Sequence, residues 1–201
     1  ACGKNISSET ESTIGLQKQY NYALQKMTKN EFIETVLDGI PTPPNYFSHD
    51  VSLNQNGYES ASKIILNSLN LLSISEIEKE CVKGATILDV RMPQDFEKNF
   101  IPKSINIGKT GMFAPWVGTL IPPVKPIIII CYTGEEKEVI SRLTRIGYHN
   151  VIGYAHLEIA TSPLVKSNQI VSIYSHDIKN HNSRLTKFLD VRRIDEFERG
   201  H

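Results

Sequence analysis

The sequence predicts an α/β protein built on a parallel sheet flanked by helices, and three observations predict it. Thr86-Ile87-Leu88-Asp89-Val90 and Pro126-Ile127-Ile128-Ile129-Ile130-Cys131 are near-continuous apolar runs rich in β-branched residues, the pattern of strands covered on both faces. Glu138–Ile146 places Val139, Leu143 and Ile146 on one helical face and Arg142 and Arg145 on the other. Strand and helix signals alternate at roughly the 10–15-residue spacing of βαβ units.

In chain order, the front of the sequence reads as helical and poor in strands. Ser8 is placed to cap a helix running to about Tyr20, and Thr28-Lys29-Asn30-Glu31 has capping-box spacing ahead of Phe32, Val36 and Leu37. Gly39 ends that helix, and Pro41, Pro43 and Pro44 keep the following tail extended. Such a section buries too little to stand alone and must pack on something else. Tyr58–Leu72 reads as a connecting helix with Ile64, Ile65, Leu69 and Leu72 on its apolar face, and Ser75–Cys81 as another helix. Thr86–Val90 is then the first strand, Ile101–Ile107 a second after a turn, Pro126–Cys131 the third and central one. Gly147 stops the helix after it, and Val151–Tyr154 is the last strand.

Composition excludes several function classes. The chain has 201 residues, 40% of them hydrophobic, enough for one or two ordinary domains. Its 22 basic and 22 acidic residues cancel, leaving no electrostatic footprint for nucleic acid or anionic membrane. No apolar run approaches the ~20 residues of a membrane span, and no signal pattern opens the chain. Cys2, Cys81 and Cys131 are odd in number and widely spaced, so a reducing, cytoplasmic setting is expected rather than a disulfide framework. His49, His149, His156, His176, His181 and His201 show no metal-ligand spacing with carboxylates or cysteines, so no metal and no cofactor is expected.

One motif repeats. Leu88-Asp89-Val90-Arg91 returns as Leu189-Asp190-Val191-Arg192, each followed by Phe-Glu, at Phe96-Glu97 and Phe197-Glu198. The lead-ins Ser73-Ile74 and Ser172-Ile173 are also alike. The copies lie about a hundred residues apart, the size of one small domain. The expectation is one whole repeat unit, the first strand of another, and an unrelated section in front, together a piece of a longer multidomain protein. Asp89 and Arg91 are read as structural, tying the strand end to neighbouring loops.

The chemistry gathers at Cys131. A cysteine at the carboxyl end of a central parallel strand, followed by a glycine-containing loop and a helix, stands where open α/β sheets bind ligands. Loop N–H groups and a helix N-terminus there favour a thiolate and any anion attached to it. The substrate-binding loop is then Tyr132, Thr133, Gly134, Glu135, Glu136 and Lys137, with Cys131 catalytic. Its glutamates oppose that role, because negative charge beside sulfur raises the thiol pKa and repels anionic donors. Lys137 would supply a cation if folded inward. The competing reading makes Cys131 an ordinary half-buried strand-end residue. Cys81 is read as an apolar filler, and Trp116 as packed between the sheet and a neighbouring domain, or lining the substrate mouth.

Taken together, Leu88–Arg91, Phe96, Ile101-Pro102, Ile105–Ile107, Ile127–Cys131 with Gly134, Arg142-Leu143, Gly147-Tyr148, Asn150-Val151 and Gly153-Tyr154 resemble the rhodanese (thiosulfate sulfurtransferase) domain. The resemblance covers about Ser73 to Ala160, and a second instance starts near Ile170. The front section, notably Ala1–Asn5 and Pro44–Phe47, resembles the tail of the metallo-β-lactamase fold in persulfide-dioxygenase-like proteins fused to tandem rhodaneses. This implies a division into 1–56 (C-terminal remnant of a metallo-β-lactamase-like domain), 57–72 (connecting helix), 73–165 (rhodanese-like domain) and 166–201 (linker and start of a second rhodanese-like domain). It implies metal-binding histidines ahead of Ala1, and gives Cys2 a place near the dioxygenase pocket, though a bland free cysteine is the simpler reading.

The resemblance also implies a function: sulfane sulfur moved through a Cys131 persulfide, from a small donor to a thiol acceptor, with the neighbouring metallo-β-lactamase and second rhodanese domains as partners. Active rhodaneses carry an arginine in the loop after the cysteine, where this chain has Glu135 and Glu136. The alternative is therefore a catalytically impaired docking module, since the middle domain of such fusions is often degenerate. A cysteine-dependent phosphatase or arsenate reductase comes third. Lys137 sits at the arginine position of a Cys-x5-Arg loop but cannot form arginine's two-pronged grip on an oxyanion.

Overall fold

The computed structural model describes residues 9–39, 46–156, 169–180, 185–192, 194–198 and 200. Cys2, Ser8, Pro41, Pro43, Pro44, His181 and His201 lie outside them. Among the described residues no helix is long and apolar enough to cross a membrane.

Four strands form one parallel sheet in the order β2-β1-β3-β4: β1 (Thr86–Asp89), β2 (Ile105–Asn106), β3 (Ile127–Cys131) and β4 (Val151–His156). The isoleucine run is buried throughout, and side-chain alternation divides it between two faces. Ile127, Ile129 and Cys131 pack with Leu88, Val117, Val139, Ile140 and Leu143, while Ile128 and Ile130 pack with Ile77, Ile87 and Ala155. Cys131 therefore faces the layer formed by α7 (Phe113–Leu120) and α8 (Glu136–Thr144).

Several elements differ from the sequence expectation for local reasons. Helix α1 is Ile14–Tyr20, and its cap is Thr13, whose Oγ1 accepts from the Leu16 N–H at 3.2 Å. Helix α2 (Lys29–Leu37) has the expected capping box between Thr28 and Glu31, and neither α1 nor α2 buries a residue. The expected extended tail contains α3 (Phe47–Asn56), which docks on the sheet domain, with His49 Nε2 3.2 Å from the Gly147 carbonyl. The connecting helix shortens to α4 (Ala61–Ser68). Beyond it the backbone bonds to the open edge of β4 instead: Tyr154 N–H donates to the Asn70 carbonyl and Leu72 N–H to the Tyr154 carbonyl, both at 2.9 Å. Helix α5 (Ile74–Val82) opens on a capping box of Ser73 with Glu76.

The second strand is two residues rather than Ile101–Ile107, because Lys103 turns the chain at φ 69° and Ser104 bonds back to Ile101. Within the sheet domain α6 (Pro93–Lys98), led by proline, and α7 were also not foreseen; Phe113 and Val117 of α7 and Ile121 at its end are core residues. Trp116 on α7 is 54% exposed and packs into no interdomain seam among the described residues. It lines an open groove of about 640 Å³ with Met92, Asn106, Gly108 and Met112, and Cys131 is not part of that lining.

The repeat is a repeat of local geometry, not of a sheet. Arg91 grips Asp89 through Nε and Nη2 and donates to the Asn99 carbonyl. Arg192 grips Asp190 in the same way and donates to the Gly200 carbonyl. A short helix follows each, α6 and α9 (Ile194–Glu198). The second copy forms no strand among the described residues. His176 in this tail is exposed.

Candidate functional site: the end of the central strand

Cys131 closes β3 and has no exposed surface. The chain after it is held as a tight loop. Glu135 N–H donates to the Tyr132 carbonyl at 3.1 Å, and the Gly134 N–H is taken by the Glu136 carboxylate at 2.8 Å. Gly134 stands at φ 89°, a left-handed backbone that glycine adopts without strain. The Tyr132 hydroxyl donates to Asp95 at 2.5 Å and accepts from the Met92 N–H, which ties the loop to the segment after β1.

Of the loop residues predicted for the site, Thr133, Gly134 and Lys137 are exposed, whereas Tyr132, Glu135 and Glu136 are half-buried. Lys137 is exposed rather than folded inward, so the condition for its supplying a cation is not met. The cation comes from a residue that sequence reasoning missed. Lys109, after β2, reaches Glu135 at 2.7 Å and Glu138 at 3.0 Å. Arg142 fixes that loop by donating to the Lys109 carbonyl at 2.6 Å and pairing with Glu138. Only the parallel pairing that sets the loop after β2 beside the one after β3 could have disclosed it.

The electrostatics work against a thiolate. Burial first, then the carboxylates of Glu136, Glu135 and Asp89, push the Cys131 thiol up to about 12, and Lys109 offsets only part of this. The expectation that loop amides and a helix terminus would favour the thiolate fails here: one of those amides is already occupied by Glu136. The thiol is the resting form.

The fold also unites residues that sequence spacing separated. Cys131 and His156 are register partners on β3 and β4. With Glu136 they bring a sulfur, a carboxylate oxygen and a ring nitrogen within 4.8 Å of one another. Counting spacings along the chain therefore missed a histidine beside Cys131.

A family model described as the Rhodanese-like domain matches residues 73–155. Residues 73–155 form a rhodanese-like domain. No curated protein matches the chain. Among solved structures, a metallo-beta-lactamase from Staphylococcus aureus subsp. aureus COL is similar at 22% identity with a TM-score of 0.59, over 77% of this chain and 41% of that one. The chain thus covers about two fifths of that protein's length, and the overlap is a likeness of fold that extends beyond the rhodanese-like domain. EanB in complex with ergothioneine covalently linked with a persulfide cysteine matches over 50% of this chain and 28% of its own, at 15% identity and a TM-score of 0.41. The Rhodanese_3-like domain of an Anabaena sp. protein matches over 46% of this chain and 100% of its own, at 12% identity and a TM-score of 0.36.

Proposed function

We propose that the rhodanese-like domain is a sulfurtransferase-type module in which Cys131 accepts sulfane sulfur. The observation that carries this reading is the placement of Cys131: the last residue of the central parallel strand, directly before a tight loop and α8, within the segment that matches the family. In the transfer, the Cys131 sulfur attacks the outer sulfur of a persulfide donor. The donor's S–S bond breaks, a persulfide forms on Cys131, and the donor leaves as a thiol carrying the proton that Cys131 gave up. Attack by an acceptor thiol reverses the sequence. Glu135 and Glu136 repel a dianion such as thiosulfate, so a persulfide donor that reacts as a neutral species suits this loop better.

A second reading, a catalytically impaired docking module, is favoured by the buried, protonated thiol and by the exposed Lys137. Phosphate-ester chemistry has no support, because the loop presents no inward cation to grip a tetrahedral oxyanion. Intact-mass measurement after exposure to glutathione persulfide separates the two readings. A gain of about 32 Da, one sulfur atom, that is absent in Cys131→Ser supports transfer. No gain on the wild-type chain leaves the docking role.

The wider context is part of the same proposal. Residues 1–56 are proposed as the end of a metallo-β-lactamase-like domain, 57–72 as a connector, 73–165 as the rhodanese-like domain, and 166–201 as a linker with the start of a second one. The structural overlap beyond 73–155 and the repeated Asp-Arg geometry support that division. Cys81 and Cys131 are free thiols, which supports a reducing, cytoplasmic setting. The proposed partners are a small sulfur donor, a thiol acceptor and the neighbouring domains.

A further inference from the structure

Three donors of different kinds converge at the open end of β3 and β4: the Cys131 sulfur, the Glu136 carboxylate and the His156 ring, all within 4.8 Å of one another. They come from three separate backbone positions held rigidly relative to one another. Cys131 and His156 are paired in the sheet register, and Glu136 begins α8 directly after the loop. His156 Nδ1 is buried with no hydrogen-bond partner among the described residues. A buried ring nitrogen with no partner is costly to keep unless something else occupies its lone pair or proton. The Tyr154 ring, 5.2 Å from the His156 ring, restricts the directions the imidazole can take.

We propose that Cys131, Glu136 and His156 form a three-ligand site for a borderline-soft divalent cation of the zinc class. Thiolate, imidazole and carboxylate are the donors that such ions take, at ligand distances of about 2.0–2.3 Å, and three protein ligands leave a fourth tetrahedral position open. Donor atoms at those radii from a shared centre stand about 3.3–3.7 Å apart, so separations of up to 4.8 Å close with small side-chain rotations. Glu136 and His156 are half-buried and form the approachable side of the site, while Cys131 forms its floor.

The charge environment that hinders a free thiolate favours a bound cation. Glu136, Glu135 and Asp89 destabilise negative charge on Cys131 and by the same sign stabilise positive charge beside it. On binding, the Cys131 S–H bond breaks, the sulfur–metal bond forms, and the proton passes to solvent. No electron is transferred. The ion and an incoming sulfane sulfur would compete for the same Cys131 sulfur. The site itself rests on the three donors and not on sulfur transfer.

Cobalt(II) is the probe, titrated into the full chain with Cys2→Ser and Cys81→Ser as background. The expected result is one ion per chain, with tetrahedral visible bands and a near-ultraviolet thiolate-to-cobalt charge-transfer band, all displaced by zinc. Cys131→Ser should remove the charge-transfer band, and Glu136→Gln and His156→Ala should each weaken binding by 10-fold or more, with circular dichroism confirming that each variant is folded. Absence of a charge-transfer band in the folded background chain overturns the site without recourse to any variant. So does cobalt binding that survives both Glu136→Gln and His156→Ala unchanged. Sulfur loading of the metal-free chain, read by intact mass, is a separate measurement: a chain that binds cobalt but takes up no sulfur retains this site and loses the proposed transfer function, and the converse result does the opposite.

Discussion

Asp89→Asn should cost this protein far more than Asp190→Asn, although the two aspartates make the same bonds. Asp89 Oδ1 accepts from the Arg91 N–H at 3.0 Å and from Nε at 2.9 Å, and Oδ2 accepts from Nη2 at 2.6 Å. Asp190 Oδ1 accepts from the Arg192 N–H at 2.9 Å and from Nε at 3.0 Å, and Oδ2 accepts from Nη2 at 2.6 Å. Burial separates them. The Arg91 and Asp89 side chains are 0% and 1% exposed, those of Arg192 and Asp190 42% and 35%. An asparagine at 89 turns an N–H₂ group toward the guanidinium and leaves a buried charge without its counter-charge. Breaking a buried pair in this way costs about 3–5 kcal/mol. Water solvates the second pair when it is broken, so its loss should leave stability within experimental error. Urea titration followed by circular dichroism reads both. With a slope of about 2 kcal/mol per M, Asp89→Asn should lower the midpoint by roughly 2 M. Replacing the pair together, Asp89→Leu with Arg91→Met, should recover much of the loss, since no lone charge then remains. Equal midpoints for Asp89→Asn and Asp190→Asn would refute the reasoning.

Other outcomes follow from the same structure. With Cys2→Ser and Cys81→Ser as background, alkylation of Cys131 by iodoacetamide should rise about 10-fold per pH unit and not level off before the thiol's value of about 12. Levelling near pH 9 would show an ordinary thiol. Glu135→Gln and Glu136→Gln should each move that break downward, because each removes a carboxylate that raises the thiol. The same shift bears on stability. A raised folded-state value means that the protonated thiol's contribution is whole below an unfolded value of about 8.5 and is lost as pH rises toward the folded one, by about 1.4 kcal/mol per unit. Cys131→Ser should therefore flatten the alkaline arm of the stability curve, as measured by urea midpoints from pH 8 to 11. At Gly153, a Cβ would stand 2.6 Å from the Asn70 carbonyl oxygen and 2.7 Å from Leu72 Cγ. Gly153→Ala should push the 70–72 segment off β4 and cost about 1–3 kcal/mol, seen as faster amide exchange at Leu72 and Tyr154. Tyr148→Phe leaves the Ile121 carbonyl without its 2.5 Å buried donor and should cost about 1–3 kcal/mol by thermal or urea unfolding.

Local signals in the sequence carried the sheet and most of the helices that frame it. Four successive isoleucines have little helical preference, and they are the buried central strand. Thr28 with Glu31 closes its capping box because the groups that make it lie within one turn. The position of Cys131 followed from the same logic, as the first residue before a glycine loop and an amphipathic helix. The failures arose where a distant partner decided the outcome. Leu69–Leu72 has helical periodicity, but the edge of β4 offers its backbone hydrogen bonds that a free helix end lacks. Helix α7 was hidden because Pro115 and Gly118 weaken helix propensity, while Phe113, Val117 and Ile121 gain by burial against the sheet.

The sequence by itself determined that a cysteine ends the central strand and that carboxylates follow it, because strand pattern, loop chemistry and charge order are all written along the chain. Only the tertiary structure decided what that cysteine meets. Lys109 and His156 lie far from it in sequence, and parallel pairing of β1, β2, β3 and β4 is what sets their side chains beside it. Burial, which is a property of the assembled layers and not of any segment, decided that the sulfur rests as a thiol. It likewise decided that one Asp-Arg grip is a structural fixture of the core while its copy lies open to water.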